Sequence, residues 1–487
     1  MKTFWLKLGR LAFLWAAILI VAISGCKDNT TNCDECPTCE GCPDVPDYTE
    51  VNEFIREWMY YVYYWNTKID SKLLENSRQF KDVPATTVPE DYFNSLLYDQ
   101  SMVDTKTTSE YDRWSFLISY EEYASVMVEG EYKSFGYFLA QASDYSVRVC
   151  YVYEDSPMAK AGIERGYKLV KLNGIDVMTL IGNKTLFNNE LAKGTSRFLF
   201  ENRQGELLEE KTISAAVVRI NPILRKERYS VDGKNVGYIV YNSFITASEE
   251  LITGTLKEFN DVDELILDLR YNGGGDVSVA DHICEYLLPE TEETADSTEF
   301  AKYVYSKRTN DNYKNIGLRD EFRKIKRNAD ALNLSRLFVI VSDMTASASE
   351  EVINSMRPFI NEVILVGTKT EGKPVGMLAL PYPQYNSRQI NAGMLPDWII
   401  AAINFRIDNK RGEGSYFAGM SPDHEVDDDL YHDFGTDPQT LSGEKCLQTI
   451  LEYIKTGGSV SRSAKAVRKN APRLVELKGI QIHAGCI

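Results

Sequence analysis

Residues 225 to 460 alternate short apolar runs with longer amphipathic stretches. Each apolar run has the length of a strand buried on both faces, and each amphipathic stretch has the length of a helix. This alternation is typical of an α/β fold, with a parallel-type sheet and flanking helices. The predicted strands are Val236 to Tyr241, Glu264 to Leu269, Leu337 to Val341 and Val363 to Val366, and the predicted helices are 246 to 259, 277 to 288 and 347 to 358.

The rest of the 487-residue chain divides by pattern, and a length of roughly 150 residues per domain suggests about three domains. An aromatic-rich amphipathic helix at 50 to 66 opens a small helical N-terminal domain, residues 49–120. Short strands with one tight turn predict a β-rich module over 121–220. The α/β core spans 221–460, with Pro289 to Leu334 as a charged surface insertion, and a basic tail follows at 461–487.

The N-terminal sequence is typical of an export signal. A basic start precedes the apolar run Leu11 to Ile23, which is too short for a spanning helix, and small residues then lead to Cys26. This arrangement resembles a bacterial lipobox. It implies a signal peptide at 1–25, lipid on Cys26, and a protein anchored in the cell envelope, on the periplasmic side or outer membrane. A plain signal peptide and an N-terminal anchor are the alternatives.

Cysteine usage favours an oxidising compartment. Residues 26–48 form a polar tether, with four cysteines separated by two residues each. This run approaches an iron–sulfur pattern but is one residue short in its last gap. We therefore expect disulfides or free thiols rather than a metal site, and no cofactor. The four are Cys33, Cys36, Cys39 and Cys42; Cys150, Cys284, Cys446 and Cys486 are expected to be packing residues or incidental.

The charge balance limits the possible partners. The net charge is −17, whereas a nucleic-acid surface needs concentrated positive charge. Nucleic acid is therefore excluded as a partner, and peptide substrates remain compatible. The oligomeric state is not determined by the sequence.

Three motifs end predicted strands, where α/β folds gather their sites. Asp268 to Gly275 runs from a strand into three glycines, whose N–H groups could face a developing oxyanion. Thr345 to Glu350 opens a helix, so Ser347 is either a helix cap in a Ser-x-x-Glu box or a nucleophile on a strand-to-helix turn. Gly367 to Pro374 nearly fits a phosphate loop, but Pro374 replaces the magnesium-binding hydroxyl, so nucleotide binding is rejected.

Together the segments LDLRYNGGG, TASASEEV and GTKTEGKP resemble the three signatures of the carboxy-terminal processing (tail-specific) serine protease family, in order and in spacing. The resemblance implies a serine-type endopeptidase that cleaves unfolded or C-terminally exposed polypeptides through a Ser-Lys dyad and an acyl-enzyme. It implies Ser347 as nucleophile, Lys373 as general base and Glu350 as a neighbouring acid. Ala348 and Gly274 N–H groups would form the oxyanion hole.

The segment SPMAKAGIERGYKLVKLNG resembles a PDZ domain, although Tyr167 replaces the usual Asp. In that family a loop binds the carboxylate of a peptide C-terminus, and the peptide adds as a strand. The matching loop here implies a binding role for Phe135, Gly136, Tyr137 and Phe138. A purely structural PDZ packed on the core is the alternative.

The sequence departs from the protease family at the base. A lysine acting near pH 7 needs its pKa lowered by about 3 through burial and neighbouring charge. The Gln that orients the lysine in the family is Met377 here. Two alternatives therefore stay open: a Ser–His pair through His282 or His424, and a catalytically inactive lipoprotein of the same fold that binds peptide or lipid.

Overall fold

The computed structural model describes residues 47–458 apart from 77, 383–397, 438, 439 and 441. Within these residues, 47 onward belongs to one compact unit. The predicted signal peptide, the lipidation site Cys26, the four-cysteine run and the basic tail lie outside the described residues, as does Cys486.

The N-terminal region contains short helices and a small hairpin. The helix predicted at 50 to 66 ends at Tyr61, and the following aromatic residues form turns. Its buried side chains share one core with Val375, Ile400 and Ile403 of the α/β region, so the region packs as part of the larger unit. Its elements are α1 (Thr49–Tyr61), α2 (Asp70–Leu73), β1 (Leu74–Asn76), β2 (Gln79–Phe80), α3 (Pro89–Leu96), a 3₁₀ turn (Gln100–Met102), β3 (Phe116–Ser119), α4 (Tyr120–Tyr123) and a π-helical turn (Ala124–Val128).

Residues 131–219 form short strands and short helices, whereas 120–128 are helical. Gly136 has φ 79°, which interrupts the extended segment at 134 to 140. The Asn173-Gly174 turn, with φ 53° and 82°, closes a hairpin as expected. The elements are β4 (Glu131–Ser134), β5 (Tyr137–Gln141), β6 (Val147–Val152), α5 (Pro157–Lys160), β7 (Lys168–Leu172), β8 (Ile175–Asp176), α6 (Val177–Ile181), α7 (Lys184–Leu191), β9 (Thr195–Glu201), β10 (Lys211–Ser214) and β11 (Ala216–Arg219).

The α/β core contains the predicted strands and helices and further elements between them. The segment Pro289 to Leu334 was expected to be a surface insertion, and that expectation is wrong. Phe300 and Leu332 are fully buried in the main core because they pack beside the helices. The elements are β12 (Ile223–Val231), β13 (Lys234–Tyr241), a 3₁₀ turn (Thr246–Ser248), α8 (Glu249–Glu258), β14 (Glu264–Asp268), α9 (Val277–Leu287), β15 (Thr298–Tyr305), α10 (Lys307–Asp311), α11 (Tyr313–Ile316), β16 (Glu321–Ile325), β17 (Arg336–Val341), α12 (Ala348–Met356), β18 (Glu362–Gly367), β19 (Val375–Met377), β20 (Leu380–Tyr382), β21 (Trp398–Ala401), β22 (Ile403–Asn409), β23 (His424–Glu425) and α13 (Lys445–Thr456).

The main sheet has the strand order β12-β13-β14-β17-β18-β23. All its pairs are parallel except β12 with β13. A second, antiparallel sheet, β16-β15-β22-β19, was not predicted. The module has its own sheet, β10-β9-β7-β6-β5, with β5 at one edge. The carboxyl ends of β14, β17 and β18 therefore lie side by side, and the three motifs follow them.

Candidate active site

Ser347 occupies a strained turn between β17 and α12. Its backbone has φ 54° and ψ −121°, whereas an ordinary helix cap has extended backbone and negative φ. A serine in this region costs free energy that the surrounding structure must supply, and such strain clusters at functional sites. Ser347 is 8% exposed, and the fully buried helix α12 starts immediately after it. Ser347 and Glu350 form the predicted capping box of α12, in a backbone conformation that an ordinary cap does not need.

Glu350 lies one turn into α12 and is fully buried. Its Oε1 accepts hydrogen bonds from the Thr370 hydroxyl at 2.5 Å and the Gly372 N–H at 2.9 Å. Its Oε2 accepts the N–H groups of Ser347 at 3.2 Å and Lys373 at 2.7 Å. Burial raises the pKa of Glu350 to about 7, although these four donors act to lower it. The carboxyl group therefore joins the serine turn to the loop that follows β18.

Lys373 lies on that loop and is 1% exposed. Because its backbone N–H and that of Ser347 both bind Glu350 Oε2, the two predicted catalytic residues are neighbours at the level of the main chain. The strand β19 follows the loop, so no helix is present where a phosphate loop would need one. Met377, which stands where the family has its glutamine, ends β19 and packs against the aromatic core of the N-terminal region.

The glycine turn after β14 contacts the serine turn directly. Gly274 has φ 106°, and a Cβ placed there would lie 2.7 Å from Ser347 Cβ and 2.9 Å from the Ala348 nitrogen. Only glycine fits at such a distance. Ala348 is the first residue of α12, so its N–H has no acceptor within the helix. A backbone donor next to the serine is the main requirement of an oxyanion hole.

The second donor predicted for the oxyanion hole, the Gly274 N–H, is not free to bind a substrate oxygen in this structure. The Gly274 N–H donates to the Asn272 side-chain oxygen at 2.9 Å, so in this structure it already has an acceptor. The N–H groups of Gly273 and Gly275 have no hydrogen-bond acceptor among the described residues. Asn272 is fully buried and was missed by the sequence analysis. Its place before three glycines was the available signal, because such a turn needs a side chain to hold it.

The charged residues of the glycine motif form a buried network that the sequence did not reveal. Arg270 donates to Asp268 and, through both terminal nitrogens, to Glu444 at 2.6 and 2.9 Å. Arg270 also binds Asp428 at 3.0 Å. Burial favours a raised pKa at Glu444, but the Arg270 charge and hydrogen bonds outweigh it and lower that pKa. The signal was two charges, Asp268 and Arg270, at the end of an otherwise apolar strand.

The predicted peptide-binding loop of the module lies at the start of edge strand β5. A Cβ at Gly136 would lie 2.1 Å from Ser156 Cβ, so glycine is required there. The Gly136 N–H donates to the Ser134 hydroxyl at 3.0 Å, and the Phe135 carbonyl accepts from Met158 at 3.1 Å. Phe135 and Phe138 are buried, in different clusters, and Tyr137 is partly buried. The edge position suits strand addition, and the binding role stays a prediction.

Neither histidine alternative meets Ser347 in the part of the chain that the structure describes. His282 Nδ1 lies 2.7 Å from Glu249 Oε1, and the His424 ring packs against Tyr453 at 5.3 Å between centroids. Within the same residues, no group of acidic, histidine or cysteine side chains could hold a metal ion, and none of the helices has the length and hydropathy to span a membrane. The cysteines Cys150, Cys284 and Cys446 are buried, as expected.

Comparison with known proteins places the chain in a family. The model of peptidase family S41 matches residues 235–426, and the model of the peptidase S41 N-terminal domain matches residues 50–116. The chain belongs to the peptidase S41 family, which indicates a serine peptidase. No curated protein sequence matches it significantly.

Two solved structures are similar to this chain. A crystal structure described as a candidate S41 protease from Bacteroides fragilis is 22% identical, with a TM-score of 0.59, and the match covers 87% of this chain and 100% of that one. The photosystem II D1 C-terminal processing protease is 15% identical, with a TM-score of 0.46, over 84% and 97% of the two chains. The first likeness supports the S41 protease fold.

Proposed function

We propose that the protein is an exported serine endopeptidase that cleaves unfolded or C-terminally exposed polypeptides through Ser347 and Lys373. The observation that carries this proposal is the convergence of the Ser347 and Lys373 backbones on one oxygen of buried Glu350. A helix cap alone needs neither a buried lysine nor a strained serine. Membership of the S41 family supplies the general reaction.

The chemistry follows from the position of the groups. Ser347 Oγ attacks the carbonyl carbon of the scissile peptide while its proton passes to the neutral Lys373 amine. The oxygen of the tetrahedral intermediate receives the Ala348 N–H and an N–H of the glycine turn. Lys373 then returns the proton to the departing amine, which leaves an ester on Ser347. A water molecule, deprotonated by Lys373, hydrolyses this ester and restores the serine.

The proposal assigns the other regions supporting roles. The β-rich module would bind the free C-terminus of the substrate through residues 135–138 and the edge of β5. Lipid on Cys26 would keep the enzyme at the cell envelope. The strand and the glycine loop support the first role, and the lipobox-like sequence supports the second.

The test measures cleavage of an unfolded polypeptide by the full chain in detergent, with the substrate C-terminus either free or amidated. We expect Ser347→Ala and Lys373→Ala to lose at least about 10³-fold in kcat. Lys369→Ala, an exposed lysine of the same loop, is the matched control and should retain activity. A preference for the free carboxylate would support the role of the module.

Other outcomes would change the assignment. Activity that survives Lys373→Ala would contradict the assignment of Lys373 as the base, and loss of that remaining activity in His282→Ala or His424→Ala would require a rearrangement of the site that this structure does not show. Peptide binding without cleavage by the wild-type protein would favour the inactive binding protein.

A further inference from the structure

Arg165 of the β-rich module is buried and uses every donor it has. It is 3% exposed and lies between α5 and β7. An arginine has five N–H donors, and here all five have acceptors. The acceptors are the Tyr271 hydroxyl at 2.6 Å, the Cys150 carbonyl at 2.7 Å, the Asp429 carbonyl at 3.0 Å, Asp428 Oδ1 at 3.1 Å and the His432 carbonyl at 3.1 Å.

These contacts connect the module to Tyr271, which lies just before Asn272 and the glycine turn. Tyr271 accepts from Arg165 and donates to Asp428 Oδ2. Burial raises the pKa of Tyr271 well above its ordinary value, so its hydroxyl keeps the proton it donates. Burial favours a raised pKa at Asp428 as well, but Arg165 and Arg270 outweigh it and keep that carboxylate ionised. We call Arg165, Tyr271 and Asp428 the clasp.

The clasp continues into the serine turn through one residue. Asn272 follows Tyr271, and its side chain receives the Gly274 N–H and donates to the Tyr241 carbonyl at 3.0 Å. Its carbonyl accepts the Ala346 N–H at 3.2 Å and the Ser349 hydroxyl at 2.9 Å. Ala346 and Ser349 lie on either side of the Ser347–Ala348 pair. A displacement of Tyr271 would therefore move both halves of the predicted oxyanion hole.

We propose that Arg165 and Tyr271 are positioning residues, through which the module holds the glycine turn in its reactive geometry. This inference rests on the proposed function. It gives the module a part in the chemical step that is separate from binding of a substrate C-terminus. The clasp should therefore matter even for a substrate that has no free carboxylate.

The experiment uses the full chain and an internally quenched hexapeptide with an amidated C-terminus. The variants are Arg165→Met, Arg165→Lys and Tyr271→Phe, which removes only the hydroxyl. We expect kcat per titrated active site to fall about 10- to 100-fold in Arg165→Met, with KM changed less than about twofold, because an interaction that shapes the transition state is lost. Lysine cannot supply the five-donor fork of arginine, so Arg165→Lys should lose nearly as much kcat as Arg165→Met.

A double-mutant cycle tests whether the two residues act together. Arg165→Met combined with Tyr271→Phe should lose little more than Arg165→Met alone, because both remove the same contact. Arg197→Met, an exposed arginine of the same module paired with Glu210, is the matched control and should keep the wild-type kcat. Additive losses, or an effect on KM alone, would overturn the proposal.

Hydrogen exchange separates this proposal from the proposed function. Amides of residues 272–275 and 346–349 should exchange at least tenfold faster in Arg165→Met and Tyr271→Phe than in wild type, while those of α13 should not change. This measurement needs no turnover, so it tests the clasp even if the wild-type protein cleaves nothing. Unchanged exchange at both segments would overturn the positioning role, whatever the activity.

Discussion

The serine turn and the module's loop 134–138 are both predicted to bind negative charge through backbone N–H groups, and the structure holds them in different ways. The serine turn lies between buried ionisable groups: Glu350 on one side and the Arg270 network next to the glycine turn. The module loop is held by hydrogen bonds between neutral groups, such as the one that the Gly136 N–H donates to the Ser134 hydroxyl oxygen. A group that must stabilise developing charge needs rigid support, because reorganisation during the reaction would cost the rate. A recognition loop can be softer.

The largest expected effect comes from breaking the buried ion pair between Arg270 and Glu444. Glu444→Gln removes the bidentate partner of fully buried Arg270, and we expect a loss of about 3–5 kcal/mol in the free energy of unfolding. Urea denaturation measures it. Glu258→Gln removes the exposed partner of Lys226 and should cost at most about 1 kcal/mol. Equal losses in the two variants would contradict the contrast between buried and surface charge.

The next largest effect should come from adding a side chain in the glycine turn. Gly274→Ala places a methyl group 2.7 Å from Ser347 Cβ, so we expect kcat to fall about 10²-fold or more, the effect of losing one oxyanion donor. Gly233→Ala has a similar positive φ of 76° but open space around it, and it controls for backbone strain alone. If both variants keep wild-type kcat, the glycine turn does not shape the site.

The pH dependence tests the buried acid. The pKa of Glu350 in the folded chain is about 7, above the value near 4.3 expected when unfolded. The folded state therefore binds more protons between these values, and stability from this group falls as pH rises from about 4.3 to 7, by on the order of 3 kcal/mol. Unfolding free energies measured across this range should show the decline, and Glu350→Gln should flatten it. If the unfolding free energy of the wild-type protein does not change over this pH range, the raised pKa of Glu350 is contradicted.

The smallest effect should come from the module loop. Gly136→Ala brings a Cβ against Ser156, which should weaken binding of a free-carboxylate peptide about tenfold. Fluorescence anisotropy in the Ser347→Ala background measures this affinity without cleavage. Gly162→Ala, with φ 72° and open space, is the control. Unchanged affinity in Gly136→Ala would show that the loop does not bind the carboxylate.

The sequence determined the α/β core, the ends of its parallel strands and the three motifs that follow them. Strand and helix periods and glycine turns are local properties, so the sequence alone reports them. It predicted that the motifs following β14, β17 and β18 would share one edge. It did not predict that part of Pro289 to Leu334 is buried, because the charged residues in this segment outnumber the apolar ones that make the contacts, or which strands of the α/β region would share a core with the N-terminal helix.

Only the tertiary structure decided how the predicted site residues are held. Glu350 could be read as a capping residue from its spacing, but its bonds to Thr370, Gly372 and Lys373 depend on a loop 20 residues and more away. The positive φ of Ser347 and the five partners of Arg165 are likewise set by packing between distant segments. Sequence periodicity reports which face of an element is buried, and it carries no information on which distant group will meet that face.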